Sequence, residues 1–348
     1  MKPKSLGCIT AMTLFAALTI SARLSAQTFT LVHSFDGTDG AQPHAGLIQA
    51  TDGNLYGTTG FGGSANVGTV FKIPLGGGTL KTLATFHGTN GSYPAAGLVQ
   101  ATDGNLYGTA SGGGSDNAGT VFKIPLGGGR LKTLATFHGT NGSYPYAGLI
   151  QGTDKNLYGT TETGGSDDEG TVFKIPLGGR LKTLATFHGT NGTYPAAGLV
   201  QADGNLYGTA SIGGSDSAGT VFTIPLGGGT LTTLATFNAT NGYEPLAGLI
   251  QATDGNLYGT TYSGGVNGYG TVFKIPPAGG TLTTLYSFCS QSGCTDGGNP
   301  TAGLIQATDG NLYGTTYNGG VNGDGTVFSL SLGNAQEQRG LSAVEVTP

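Results

Sequence analysis

Ala-Gly-Leu-Val-Gln-Ala-Thr-Asp-Gly-Asn-Leu-Tyr-Gly-Thr-Ala, residues 96–110, holds the pattern that decides the fold. Residues 96–101 read as a short strand, and Asp103-Gly104 supplies the positive φ that a tight hairpin requires. Residues 105–110 return as a second strand. The core of that return, Leu-Tyr-Gly-Thr, occurs six times, with its tyrosines at Tyr56, Tyr107, Tyr158, Tyr207, Tyr258 and Tyr313. The spacings are 51, 51, 49, 51 and 55 residues, so nearly the whole chain is one unit copied six times. A period near fifty with several short strands per unit marks a propeller-type array.

The rest of the unit fits. A glycine-rich loop (111–118) leads to Gly-Thr-Val-Phe-Lys-Ile (119–124), whose β-branched and aromatic content predicts a third strand. Pro125 ends it, Gly127 to Gly129 turn the chain, and Arg130 to Phe137 form a fourth strand. A polar crossover, His138 to Pro145, then opens the next copy. Four antiparallel strands joined by three hairpins and one crossover describe a propeller blade. The strand count predicts how the ring closes. A lone outer-type strand, Thr28 to Phe35, precedes the first copy, and the sixth copy ends after three strands, Ala302 to Leu330. The expectation is therefore an all-β, six-bladed β-propeller closed by the N-terminal strand pairing with residues 325–330, which removes the exposed sheet edge. An open β-solenoid would show shorter rungs and no complementary half-units at its two ends.

Glycine supplies 68 of 348 residues and only 9% are charged. The glycines lack the three-residue period of collagen, and the regular Leu, Ile, Val, Phe and Tyr positions argue against disorder. Residues 1–26 read as a secretory signal peptide: Lys2 and Lys4, an apolar stretch from Cys8 to Ile20, and Ala26 before the cut. That stretch is shorter than the roughly 20 apolar residues a membrane span needs. Removing it takes three of the 14 Lys and Arg, leaving 11 against 19 Asp and Glu, a net charge of −8. Such a chain is a poor partner for nucleic acid. Cys289 and Cys294 then remain, in one insertion, and an exported compartment favours a disulfide between them. The expected organisation is a signal peptide (1–26), a six-repeat propeller (27–332) and a polar tail (333–348), secreted, periplasmic or at the cell surface, monomeric and without a membrane span.

The run Asp-Gly-Asn-Leu-Tyr-Gly-Thr-Thr, at residues 52–59, 254–261 and 309–316, with Gly-Gly, Gly-Thr-Val-Phe and Ala-Gly-Leu-Ile-Gln-Ala around it, resembles the Gloeobacter/Verrucomicrobia tandem-repeat family, the GloVer repeat. The resemblance covers Gln27 to Leu330 and implies an exported or surface protein with no established activity. A looser similarity, through Asp-Gly-Asn-Leu-Tyr, links the chain to NHL-type and SMP30-like (gluconolactonase-like) propellers. No matching His/Glu set accompanies it, so it speaks to fold alone.

In a propeller the crossovers and the second-to-third-strand loops share one face, here called the top. Copies differ most there, and binding residues tend to sit on loops held by a rigid scaffold. The candidate ligand residues are His44, Tyr146, Glu162, Tyr262, Tyr269 and Tyr317. Tyrosine pairs an apolar ring with a hydroxyl, suited to sugars or peptides. In the third copy Glu162, Asp167, Asp168 and Glu169 share one loop. Asp167, Asp168 and Glu169 are candidates for Ca2+, which takes six to eight oxygen ligands, and Glu162, Asp167 and Asp168 for general acid/base work; a solvated acidic loop is the plainer reading. His87, His138 and His188 recur at equivalent turns, too far apart in a ring to share an ion, and read as local turn residues. The chain has no P-loop, Gly-x-Ser-x-Gly elbow or His-Glu-x-x-His pair. No cofactor is expected beyond that Ca2+ candidate. The function expected is an exported binding or interaction module for a glycan, peptide or protein. The alternatives are an extracellular hydrolase or lyase acting on a polysaccharide through the loop carboxylates, and a structural surface or matrix protein.

Overall fold

A computed structural model of the protein describes residues 30–332. The signal peptide and the polar tail expected from the sequence lie outside them. Chain contacts separate a segment ending at Val32 from the body that begins at His33. Residues 30–32 carry no regular structure, and Leu31 and Val32 are exposed.

The body is a six-bladed β-propeller. Its first blade has strands at Ile48–Gln49, Leu55–Thr59, Thr69–Ile73 and Lys81–Thr85, paired antiparallel in that order. Four more blades repeat this four-stranded sheet, and the sixth has three strands. The inner strand is shorter than expected: Val99–Gln100 rather than 96–101. Its first residues serve the neighbouring blade instead. The Ala96 carbonyl accepts from Thr58 Oγ1 at 3.1 Å, and equivalent bonds join Thr109 to Ala147, Thr160 to Ala197 and Thr209 to Ala247.

The core lies between blades. Tyr56, Val70 and Phe86 of one blade pack with Leu98, Leu106, Phe122 and Ile124 of the next, and the set repeats around the array. The motif glycine is required by the third strand. Gly108 faces Phe122 across the pairing, and a Cβ at 108 would sit 2.5 Å from the Phe122 ring. The motif tyrosine is fully buried in blades one to three, with only its hydroxyl turned to the bottom turn. Tyr107 Oη donates to Asp103 at 2.8 Å, and Lys123 Nζ reaches the same carboxylate at 2.7 Å. Blades one and three repeat the trio with Tyr56, Asp52 and Lys72, and with Tyr158, Asp154 and Lys174. Burial alone would raise the Asp103 carboxyl, but the bonds from Lys123 and Tyr107 outweigh it and hold it at about 2. Thr51 and Gln100 clip consecutive blades at this face through two bonds of 2.9 Å. The fourth copy lacks the threonine, and its turn, Ala202 to Gly204, has no such clip to Gln251.

Among the described residues no outer strand pairs with the sixth sheet, and residues 28 and 29 of the expected closing strand lie outside them. Residues 33–35 carry no strand, and the sixth sheet ends at Thr326–Leu330. The end of that N-terminal segment is held by the first blade: the Phe35 ring meets Phe71 edge-on at 5.2 Å, and His33 Nε2 lies 2.7 Å from Asp39. Neither contact requires the segment to pair as a strand. At the other end, Val327 is 79% exposed where Val70, Val121 and Val172 are wholly buried.

Three outcomes follow from this packing. Amides of Thr326–Leu330 should exchange with deuterium faster than those of Thr271–Ile275; equal protection would show that an outer strand pairs there in solution. Gly108→Ala should lower stability by about 1–3 kcal/mol through overpacking, read by urea denaturation. Asp103→Asn should cost on the order of 1 kcal/mol near neutral pH. The folded pKa of Asp103 lies below the unfolded value of about 3.9. Its stabilisation is therefore present above pH ~4 and lost as pH falls through about 2, so wild type and variant should converge there.

Candidate functional site

The top face is assembled from main chain. At each crossover the residue before proline takes a left-handed φ near +55°: Gln42, Tyr93, Tyr144, Tyr194, Glu244 and Asn299. This is rare for a bulky side chain and adverse before proline. Hydrogen bonding explains it. The Tyr144 N–H donates to the Ala118 carbonyl of one blade's loop, while its own carbonyl accepts from Glu162 N–H of the next. Tyr93, Tyr194, Glu244 and Asn299 make the same pair of bonds. The pair common to these junctions is made by backbone; Ser111 and Ser211 Oγ add bonds to the Tyr93 and Tyr194 carbonyls, and the Tyr93 ring meets Phe61 edge-on at 5.0 Å.

Variable loop residues of the first and third copies come together. The His44 ring lies over Gly60, with Cδ2 2.9 Å from where a Cβ there would sit. In the third copy Tyr146 and Glu162 are the corresponding pair. Burial, then the Glu162 charge, pushes the Tyr146 hydroxyl up, and burial pushes the Glu162 carboxyl up. Tyr144 stacks on Tyr146 at 6.4 Å with the rings 21° from parallel. Tyr262 is half-buried, with its carbonyl accepting from Asn299 Nδ2, whereas Tyr269 and Tyr317 are exposed. Tyr262 and Tyr269 belong to the fifth copy's loop and Tyr317 to the sixth's.

The acidic loop divides. Asp168 turns Oδ1 onto Gly164 N–H at 2.9 Å, as Asn66 and Asn117 do in their copies, and so closes its own loop. Asp167 is exposed. Glu169 occupies the position of Ala118 and Ala218, both core residues, and its Oε2 is buried without a partner among the described residues. Among the described residues no group of three or more His, Cys, Asp or Glu is arranged to hold a metal. Burial raises the Glu162 carboxyl. His87, His138 and His188 bond to Thr89, Thr140 and Thr190 two residues on, within their own turns. Cys289 and Cys294 are joined by a disulfide, and Asp296 beside them accepts from Tyr286 Oη and Ser290 N–H.

Two features of this face are not apparent from sequence variation. Tyr93, Tyr144 and Tyr194 present rings about 40% exposed at three consecutive junctions. Charge is also segregated. The crossovers and top loops carry eleven Asp and Glu, four and seven respectively, and no Lys or Arg; all ten Lys and Arg of residues 30–332 lie on the other strands and turns.

Among the described residues no helix is long and apolar enough to cross a membrane. The fold is similar to the extracellular domain of a one-component-system protein from B. thetaiotaomicron, with a TM-score of 0.54 and 9% identity, covering 86% of this chain and 34% of that one. It is also similar to a gluconolactonase from Xanthomonas campestris (TM-score 0.49, 14% identity, covering 85% and 88%) and to a chain of the nidogen/laminin complex (0.46, 18%, 77% and 88%). At these identities the likeness is one of fold. Comparison with curated proteins finds no match. The sequence profile of the Gloeobacter/Verrucomicrobia repeat matches residues 17–222 and 179–341, nearly the whole chain, and the protein belongs to that family.

Proposed function

We propose that the chain is an exported β-propeller that acts as a binding module, with its ligand on the top-face loops. The observation that carries this reading is the contrast between the two faces. Bottom-turn side chains are committed to the scaffold through the Asp–Tyr–Lys trios and the Thr–Gln clips. Top-face side chains are released by a backbone strap, and there the exposed aromatic residues Tyr93, Tyr144, Tyr146, Tyr194, Tyr269 and Tyr317 collect. Exposed tyrosines of this kind are favoured at binding surfaces because they bring contact area with little side-chain entropy. Export is supported by the charged and apolar N-terminal stretch and by the Cys289–Cys294 disulfide. The hydrolase or lyase reading is not favoured, because Asp168 is engaged in closing its own loop.

Arrays of glycans, peptides and extracellular proteins should yield a ligand at micromolar concentration or tighter. Tyr146→Ala combined with Tyr317→Ala should weaken it at least about tenfold, and Lys155→Ala on a bottom turn should not. Binding that survives the top-face changes but is lost at the bottom, or turnover of a polysaccharide with no stable binding, would overturn the reading.

A further inference from the structure

The fold does not need tyrosine at positions 93, 144 and 194. The strap they make is a main-chain device, and Glu244 and Asn299 make it equally well at the same place, with φ of 56°. A left-handed site is entered most easily by Gly or Asn, so an aromatic ring is among the least suited choices. These residues are not taken up by the core either, each remaining 37–41% exposed, although the Tyr93 ring meets Phe61 edge-on at 5.0 Å. They recur at three consecutive blade junctions, and Tyr146 doubles the middle one by stacking on Tyr144. What remains is a set of half-exposed aromatic residues on loops that hold no Lys or Arg, with Glu162, Asp116, Asp167 and Asp216 among their carboxylates.

This pairing selects among ligand chemistries. A polyanion, whether nucleic acid or a uronate polymer, is repelled by the face. A neutral glycan can stack on tyrosine but has no use for the charge. A cationic side chain uses both, because ammonium and guanidinium groups are attracted to the ring face and to nearby carboxylates. Resting on the top-face reading above, we infer that the row Tyr93–Tyr144–Tyr194 is a platform for a lysine- and arginine-rich polypeptide segment. Glu162, half-buried beside Tyr146, supplies a carboxylate at the middle position. Repetition of the ring on successive blades suits a segment with several basic residues, each contact raising the effective concentration of the next.

The test is fluorescence anisotropy of the folded chain with a labelled nona-arginine peptide, a matched oligo-glutamate peptide and a neutral cello-oligosaccharide, at low and high salt. The arginine peptide should bind, the glutamate peptide should not, and affinity should fall at least about tenfold between 20 mM and 500 mM salt, roughly, as exposed charges are screened. The triple variant Tyr93→Asn, Tyr144→Asn, Tyr194→Asn places at each junction the residue found at Asn299, so it should keep its melting temperature. It should lose at least about tenfold in affinity, the combined effect of three cation–π contacts. Salt-independent, tyrosine-dependent binding of the cello-oligosaccharide without the arginine peptide would overturn the cationic class and leave the top-face reading standing. Arginine-peptide binding unchanged in the triple variant would overturn the platform. If no probe responds to any top-face change, and the arrays above also fail, both readings fall.

Discussion

Each outer strand ends in a phenylalanine set edge-on against the phenylalanine of the next blade's third strand, and most of the architecture depends on this contact. Phe86–Phe122, Phe137–Phe173, Phe187–Phe222, Phe237–Phe273 and Phe288–Phe328 repeat it with ring centroids 4.9–5.1 Å apart. The third-strand ring can lie inward only because the facing second-strand residue is glycine, where a Cβ would be 2.5–2.7 Å from it. That glycine is flanked by a tyrosine whose ring fills the gap to the following blade and whose hydroxyl reaches the turn below. The Phe, Gly and Tyr positions are thus one constraint in three places. A blade has no core of its own, and each depends on the neighbour that covers its face.

This dependence accounts for what could be read from sequence. The six-fold motif, the Asp-Gly hairpin and the Pro-ended third strand are local signals with a fixed chemistry, and they mark blades without reference to neighbours. The inner strand was over-read because Ala96 and Gly97 look like strand residues, yet their carbonyls and close approaches belong to the adjoining blades. The closing strand was inferred by counting. The described residues 33–35 carry no strand, yet Phe35 meets Phe71 edge-on at 5.2 Å, as Phe86 meets Phe122.

The candidate site was legible only where copies differ. His44 with Gly60, and Tyr146 with Glu162, were found because their positions vary, and the structure brings each pair together. Tyr93, Tyr144 and Tyr194 were passed over because Ser/Thr-Tyr-Pro is shared by three copies and reads as repeat rather than as variation. Their exposure comes from a left-handed backbone that composition does not reveal. Among the described residues the acidic loop does not gather into a metal-holding group, for a related reason. Asp168 stands where other copies use asparagine to close the loop, and neighbouring carboxylates in sequence need not converge in space.

The charge segregation was hidden by summation. A chain of modest net charge can be acidic on one face and basic elsewhere, and only the strand order separates the two groups. On the bottom, lysines are spent on Asp52, Asp103 and Asp154, which lock the turns to the buried tyrosines. On top, the strap between blades is made mainly by N–H and C=O groups, with Ser111 and Ser211 Oγ adding bonds to the Tyr93 and Tyr194 carbonyls. A scaffold that joins its blades through side chains on one face and through main chain on the other leaves only the second face free to change its side chains. Sequence differences and exposed aromatic residues therefore gather on the same side, because that is where the fold places the fewest demands on residue identity.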